Sequence, residues 1–281
     1  MKTIAIASLK GGVGKTTTAA NLGTALAKRE RGEVLLVDLD PRNQLGLHIG
    51  LGGDSAGLAE ASLRGVSWER VLQRSLDGVS CLPFGVHRDG LGAELNALLA
   101  RRPNLLGEGL SEPALQAHRL AVVDCGPWPS PLLDQTLALA DMVIVVLLAD
   151  AASFATLPAL QSLLRSRRNS RGGRDSGARV LLNCIDSGRL GRDVRALVAA
   201  QPELSLLQHA IHRDACVPEA LAQQRPVLAT SPTSQAADDF ERLAVWAIDE
   251  LAAERDARSP QASRGEPITV ADVSSAQGAS R

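Results

Sequence analysis

The stretch Ser8-Leu-Lys-Gly-Gly-Val-Gly-Lys-Thr-Thr-Thr18 (SLKGGVGKTTT) sets two lysines, Lys10 and Lys15, around a run of glycines. Ahead of it Thr3-Ile-Ala-Ile-Ala-Ser8 is apolar, uncharged and rich in β-branched side chains. Behind it Ala19, Leu22 and Leu26 recur at helical spacing. The order strand, glycine loop, helix separates a phosphate-binding loop from a chance cluster of glycines. Backbone N–H groups of Gly11, Gly12, Val13 and Gly14, continuing into Lys15, Thr16 and Thr17, can converge there on an anion. Glycine has no Cβ to bar close approach or a positive φ, and the helix N-terminus adds partial positive charge at the same place. Lys15 then reaches the β- and γ-phosphates of a nucleotide, and the Thr16 hydroxyl ligates Mg²⁺.

The generic motif wants a glycine where Leu9 stands, and the chain offers K-G-G-x-G-K-T instead. That form resembles the deviant Walker A loop of the ParA/MinD family of ATPases. The resemblance implies a P-loop NTPase that binds ATP and Mg²⁺. It also implies that Lys10 reaches across a homodimer interface to the nucleotide of the partner subunit, a cation supplied in trans much as an arginine finger is.

Further along, apolar runs alternate with helical patterns, which predicts an α/β fold with a mostly parallel sheet and helices on both faces. Strands are expected at Glu33–Asp40, Val79–Phe84, Arg119–Asp124, Met142–Leu148, Ala178–Ile185 and Leu204–Ile211. Helices are expected at Gly57–Arg64, Ser67–Arg74, Asp89–Arg101, Leu132–Ala140, Ser153–Arg167, Gly191–Ala200 and Thr233–Ala253. Residues 1–254 read as one ATPase domain. From Arg255 the chain is rich in Ser, Ala, Arg and Gly with almost no large apolar residue, so 255–281 is expected to be a disordered tail.

In an open parallel sheet the ligand sits at the carboxyl ends of the strands, and three acids fall there. Asp38 and Asp40 close the second strand, and alternation along a strand would point both the same way. Asp124 follows four apolar residues, a Walker B pattern that holds the Mg²⁺ shell. The pair D-x-D resembles the family's second signature, which implies that Asp40 orients or activates the attacking water while Asp38 lies close to the metal. A turn cap at Asp40 before Pro41 is the plainer alternative. By the same resemblance Asn183 hydrogen-bonds adenine and Arg213 lies near the base, although His212 and Asp214 replace that region's usual Pro and Asn.

Composition bounds the rest. With aromatics at 2% and no Tyr, a core must come from Leu, Val, Ile and Ala. The formal net charge of −1 favours neither nucleic acid nor a membrane surface, so any such contact needs a local patch. Arg165, Arg167, Arg168, Arg171, Arg174 and Arg179 make one, a candidate contact for DNA phosphate set against a solvated loop. Cys81, Cys125, Cys184 and Cys216 are widely spaced, the pattern of reduced thiols rather than a disulfide frame or zinc site. None of the five histidines shows ligand spacing, and Trp68 and Trp128 are read as core residues, with partner contact as the alternative. No signal peptide opens the chain and no apolar run approaches the ~18 residues of a membrane span, so a cytoplasmic protein is expected.

DLDPRNQLGLHIG, CLPFG, VVDCGPWPSP, LLADAASFATLPAL and IHRDACVPEALAQQRPVL resemble the BcsQ (YhjQ) family of accessory ATPases of cellulose biosynthesis. This implies a dimeric regulator or assembly factor recruited to the inner membrane or cell pole through cellulose synthase subunits. The rival expectation is a partition ATPase that binds DNA. Residues 255–281 lack an amphipathic stripe, which argues against direct membrane insertion.

Overall fold

In a computed structural model, residues 1–31, 33–53, 55–86, 88–170, 178–186, 188–201 and 204–258 are described. Eight strands form one sheet: β1 (Lys2–Ala7), β2 (Val34–Asp38), β3 (Gln73–Arg74), β4 (Ser80–Leu82), β5 (Leu120–Asp124), β6 (Met142–Leu148), β7 (Ala178–Asn183) and β8 (Ser205–Leu206). Their spatial order is β3-β4-β2-β5-β1-β6-β7-β8. All neighbours are parallel except β3 against β4. β1 therefore lies at the centre, with β5 and β6 on either side.

Both faces of the sheet are covered, as the near-continuous apolar strands require. Alternation along β1 sends Ile4 and Ile6 to one face and Ala5 and Ala7 to the other. The first face packs on the helix Lys15–Arg29 through Ala19, Leu22 and Leu26, and on the closing helix Gln235–Arg258 through Phe240, Leu243 and Ala247. The other packs on the helices Leu91–Arg101, Pro131–Leu139 and Leu157–Ser170 through Leu95, Leu133 and Leu160. The core is aliphatic, as the composition demanded, apart from Trp68, Phe84 and Phe240.

Three expected elements differ. Ser67–Arg74 is a single turn of 3₁₀ helix, Trp68–Val71, running into β3. The Trp68 indole is buried against Gly109 and donates to the Ser62 hydroxyl at 2.9 Å, so tertiary packing rather than helical periodicity sets this segment. Of Leu204–Ile211 only Ser205–Leu206 pairs as strand. Ser153–Arg167 is broken into Ala151–Phe154, capped by Asp150 (Ser153 N–H to Oδ1, 2.6 Å), and Leu157–Ser170. Pro158 fits there because the first turn needs no backbone donor.

The helix expected to end at Ala253 runs to Arg258, and the rest of the tail lies outside the described residues. So do residues 171–177 of the arginine-rich loop. All four cysteines are free. Among the described residues no helix is long and apolar enough to cross a membrane.

Candidate functional site

At the carboxyl edge of β1 the chain turns through the glycine loop. Gly12 (φ 74°) and Gly14 (φ 87°) take the left-handed conformation that other residues resist, whereas Gly11 does not. The helix starts at once, with Thr18 N–H donating to the Gly14 carbonyl at 2.8 Å. Its first N–H groups have no intrahelical acceptor and point out of the helix end. The loop residues Lys10, Gly11, Gly12, Gly14, Lys15, Thr16 and Thr17 line one wall of a cleft of about 350 Å³. Arg42, Gln44, His48, Pro127 and Trp128 line the cleft as well. Val13 instead buries its side chain in the core.

Lys15 is buried and points at the acids. Its Nζ lies 2.7 Å from Asp124 Oδ1 and 3.6 Å from Asp40 Oδ2. Burial by itself would depress its pKa, but the charge and hydrogen bond of Asp124, with Asp40 behind, leave it raised, so the ammonium is held protonated. The parallel register sets Asp38 directly beside Asp124, both fully buried. Burial and the Asp124 charge push the Asp38 carboxyl up to about 8. Its oxygens accept from the Asp40 and Leu45 N–H groups, each at 2.9 Å, which ties down the chain that leaves β2.

Asp40 is held by Arg42. The guanidinium donates from Nε to Oδ1 at 3.0 Å and from a terminal nitrogen to Oδ2 at 2.7 Å, and the Arg42 backbone N–H adds a third bond at 3.0 Å. Burial raises the Asp40 carboxyl, but these bonds and the charges of Lys15 and Arg42 outweigh it and leave it below the usual range.

The fit to a divalent cation is testable on one atom. Asp124 Oδ2 is buried and has no hydrogen-bond partner among the described residues, and the Thr16 side chain lies close enough to the same carboxyl to favour its charged form. An orphaned carboxylate oxygen next to a hydroxyl suits Mg²⁺, which takes one or two protein oxygens and completes its shell from phosphate and water. Among the described residues no cluster of three His, Cys, Asp or Glu forms a self-sufficient metal site.

Comparison with known proteins decides the family. The model of the family "Cellulose biosynthesis protein BcsQ" matches residues 1–248. The chain belongs to the BcsQ family. Its relatives include the BcsQ protein of Salmonella typhimurium, 28% identical over 258 residues, covering 88% of this chain and 94% of that one. The chromosome-partitioning ATPase Soj of Thermus thermophilus is 32% identical over 257 residues, covering 87% and 94%. Among solved structures, cobyrinic acid a,c-diamide synthase of Mycobacterium smegmatis with bound ATP analogue and magnesium superposes with a TM-score of 0.73. It is 26% identical and covers 91% of this chain and 97% of that one. BcsQ membership and the ParA/MinD-like P-loop fold thus agree with the resemblance carried by the loop.

Not every expected residue of this BcsQ-family chain faces the cleft. Asn183 is buried and donates its amide to the Val13 carbonyl at 2.7 Å, bracing the loop from β7. Arg213 is exposed beside Cys184, one residue beyond Asn183. Trp128, read as a core residue, is instead 44% exposed on the cleft wall. Lys10 pairs in cis with Asp150, Nζ to Oδ2 at 2.9 Å, at the half-exposed rim. Asp150 was missed, although it follows an apolar strand in the same way as Asp124 does. Arg42 and His48 were missed because no spacing rule marks them.

Two arginines of the basic patch are engaged within the fold, and Arg171 and Arg174 lie outside the described residues. Arg167 is buried and donates to the Leu137 and Ala140 carbonyls at 3.0 and 3.1 Å. Arg179 pairs with Glu250.

Proposed function

We propose that this protein is an ATP-hydrolysing, dimeric switch that regulates or assembles a bacterial cellulose synthase system. One observation carries the reading: a single glycine loop sends two lysines to one cleft, Lys15 inward onto Asp124 and Asp40, Lys10 to the rim. A buried lysine and loop N–H groups are what β- and γ-phosphates need, and an arm at the mouth is placed to meet a second subunit. ATP is the substrate that fits, and Thr16 with Asp124 would hold Mg²⁺, whose chemistry is to neutralise charge on the phosphate oxygens. The chain's own part is positioning. Loop and Lys15 fix the phosphates, Lys10 of one copy stabilises charge at the other's nucleotide, and Asp40 orients the water. Asn183 and Arg213 are proposed to approach the base. The cellulose role, and recruitment of a cytoplasmic protein to the inner membrane through synthase subunits, rest on the family alone.

The test is light scattering with Mg·ATP. Lys10→Ala is expected to bind nucleotide as a monomer and fail to dimerise, whereas Asp150→Asn, which keeps the helix cap but drops the ion pair, dimerises at up to about 25-fold lower protein concentration, the size of one exposed pair in each of the two copies. An ATP-dependent dimer of Lys10→Ala would contradict the reading. The partition alternative is supported by the Soj relative. It expects a gel shift of nonspecific duplex that fades steeply with salt.

A further inference from the structure

Arg42 is unusual for a residue holding a catalytic acid. Its own side chain is 62% exposed, while the Asp40 it grips is 3% exposed. Among the described residues Asp40 is the only hydrogen-bond partner of its guanidinium. It lines the same cleft as the loop that carries Lys10 and Lys15. Its backbone, by contrast, is pinned. Pro41 precedes it, and Asn43, at φ 51°, donates to the Gly53 carbonyl at 3.1 Å and accepts from Gly85 N–H at 3.2 Å. Arg42 is thus a fixed stem with a free arm, able to move by side-chain rotation without moving the loop.

While the fork is closed on it, Asp40 accepts from Arg42 on both oxygens, Oδ1 from Nε and the backbone N–H and Oδ2 from a terminal nitrogen, and offers an attacking water no unoccupied oxygen. The guanidinium fork matches a phosphate as well as a carboxylate. We infer that Arg42 is a cis-acting reader of the terminal phosphate, exchanging its fork from Asp40 to the γ-phosphate of a nucleoside triphosphate in the cleft and so releasing Asp40 to the attacking water. A diphosphate lacks the competing anion and leaves the fork on Asp40. Because the γ-phosphate belongs to the substrate proposed above, this role rests on the ATPase reading.

The test is titration calorimetry of the full chain with Mg·AMPPNP and with Mg·ADP, comparing wild type, Arg42→Gln and Arg42→Lys. The ratio of the two affinities is the readout. Arg42→Gln is expected to lose about tenfold or more in preference for the triphosphate, the scale of a charge-assisted hydrogen bond. Arg42→Lys, which restores the charge without the fork, should fall between. If Arg42 merely props Asp40, both affinities move together and the ratio stays, which overturns the inference while leaving the ATPase reading intact. A wild type that binds neither nucleotide overturns both. Arg42 is exposed, so folding of Arg42→Gln is expected, and Arg42→Lys gives the same comparison if it fails.

Discussion

His48 shows what a single residue can hide. It lies in the turn Gly46–Ile49, 6% exposed, on the cleft wall, and its imidazole has no hydrogen bond to any described residue. Burial lowers its pKa to about 4. A base that is harder to protonate folded than unfolded binds fewer protons in the native state between the two pKa values. Stability is therefore whole above the unfolded value near 6.5 and is lost as pH falls toward 4. The loss attributable to this residue is up to ~3 kcal/mol, from roughly 2.5 pKa units at 1.36 kcal/mol each. His48→Leu should remove that acid limb, whatever it does to stability at pH 7, and urea denaturation from pH 7 to 4 checks it. A variant with the wild-type slope would mean that the imidazole reaches water in solution.

At the scale of elements, the glycine loop is braced by a strand two places away in the sheet. A Cβ on Gly14 would sit 2.2 Å from the Asn183 amide nitrogen, so the glycine serves both the left-handed turn and the Asn183–Val13 bridge. Gly14→Ala should destabilise by at least ~2 kcal/mol, combining roughly 1–2 for the left-handed backbone with about 1 for the lost hydrogen bond. In an Asn183→Ala background only the backbone share remains. A double-mutant cycle in denaturant measures the difference, and full additivity would deny the contact.

Strand–loop–helix was legible because phosphate binding forces glycine, lysine and threonine into fixed offsets. Ser67–Arg74 and Leu204–Ile211 were not, because a Trp68 slot over Gly109 and the limited pairing of β8 on β7 leave no periodic trace.

Taking the molecule whole, β5 is inserted between β1 and β2, which sets Asp124 both next to Asp38 and under Lys15. Any ligand bound only by this assembled site should stabilise the entire fold. Mg·ATP at a hundred times its dissociation constant is worth ~2.7 kcal/mol, or roughly 5–10 °C in Tm for a chain of this size. Thermal scans should show that shift. It grows with protein concentration if two copies close on the nucleotide and stays constant if one copy binds alone. Lys15→Ala, compared with its own unliganded baseline, should lose it.

The residues themselves determined the parallel α/β class, the phosphate loop, the three acids and an aliphatic core, since each follows from local spacing and chain chemistry. Strand order, the Arg42 grip on Asp40, the Lys10–Asp150 pair, the bracing by Asn183 and the exposure of Trp128 were decided in three dimensions. Most of these join residues or strands far apart along the chain. The Arg42 grip spans only two positions, but which anion an exposed guanidinium faces depends on how the sheet edge packs around it.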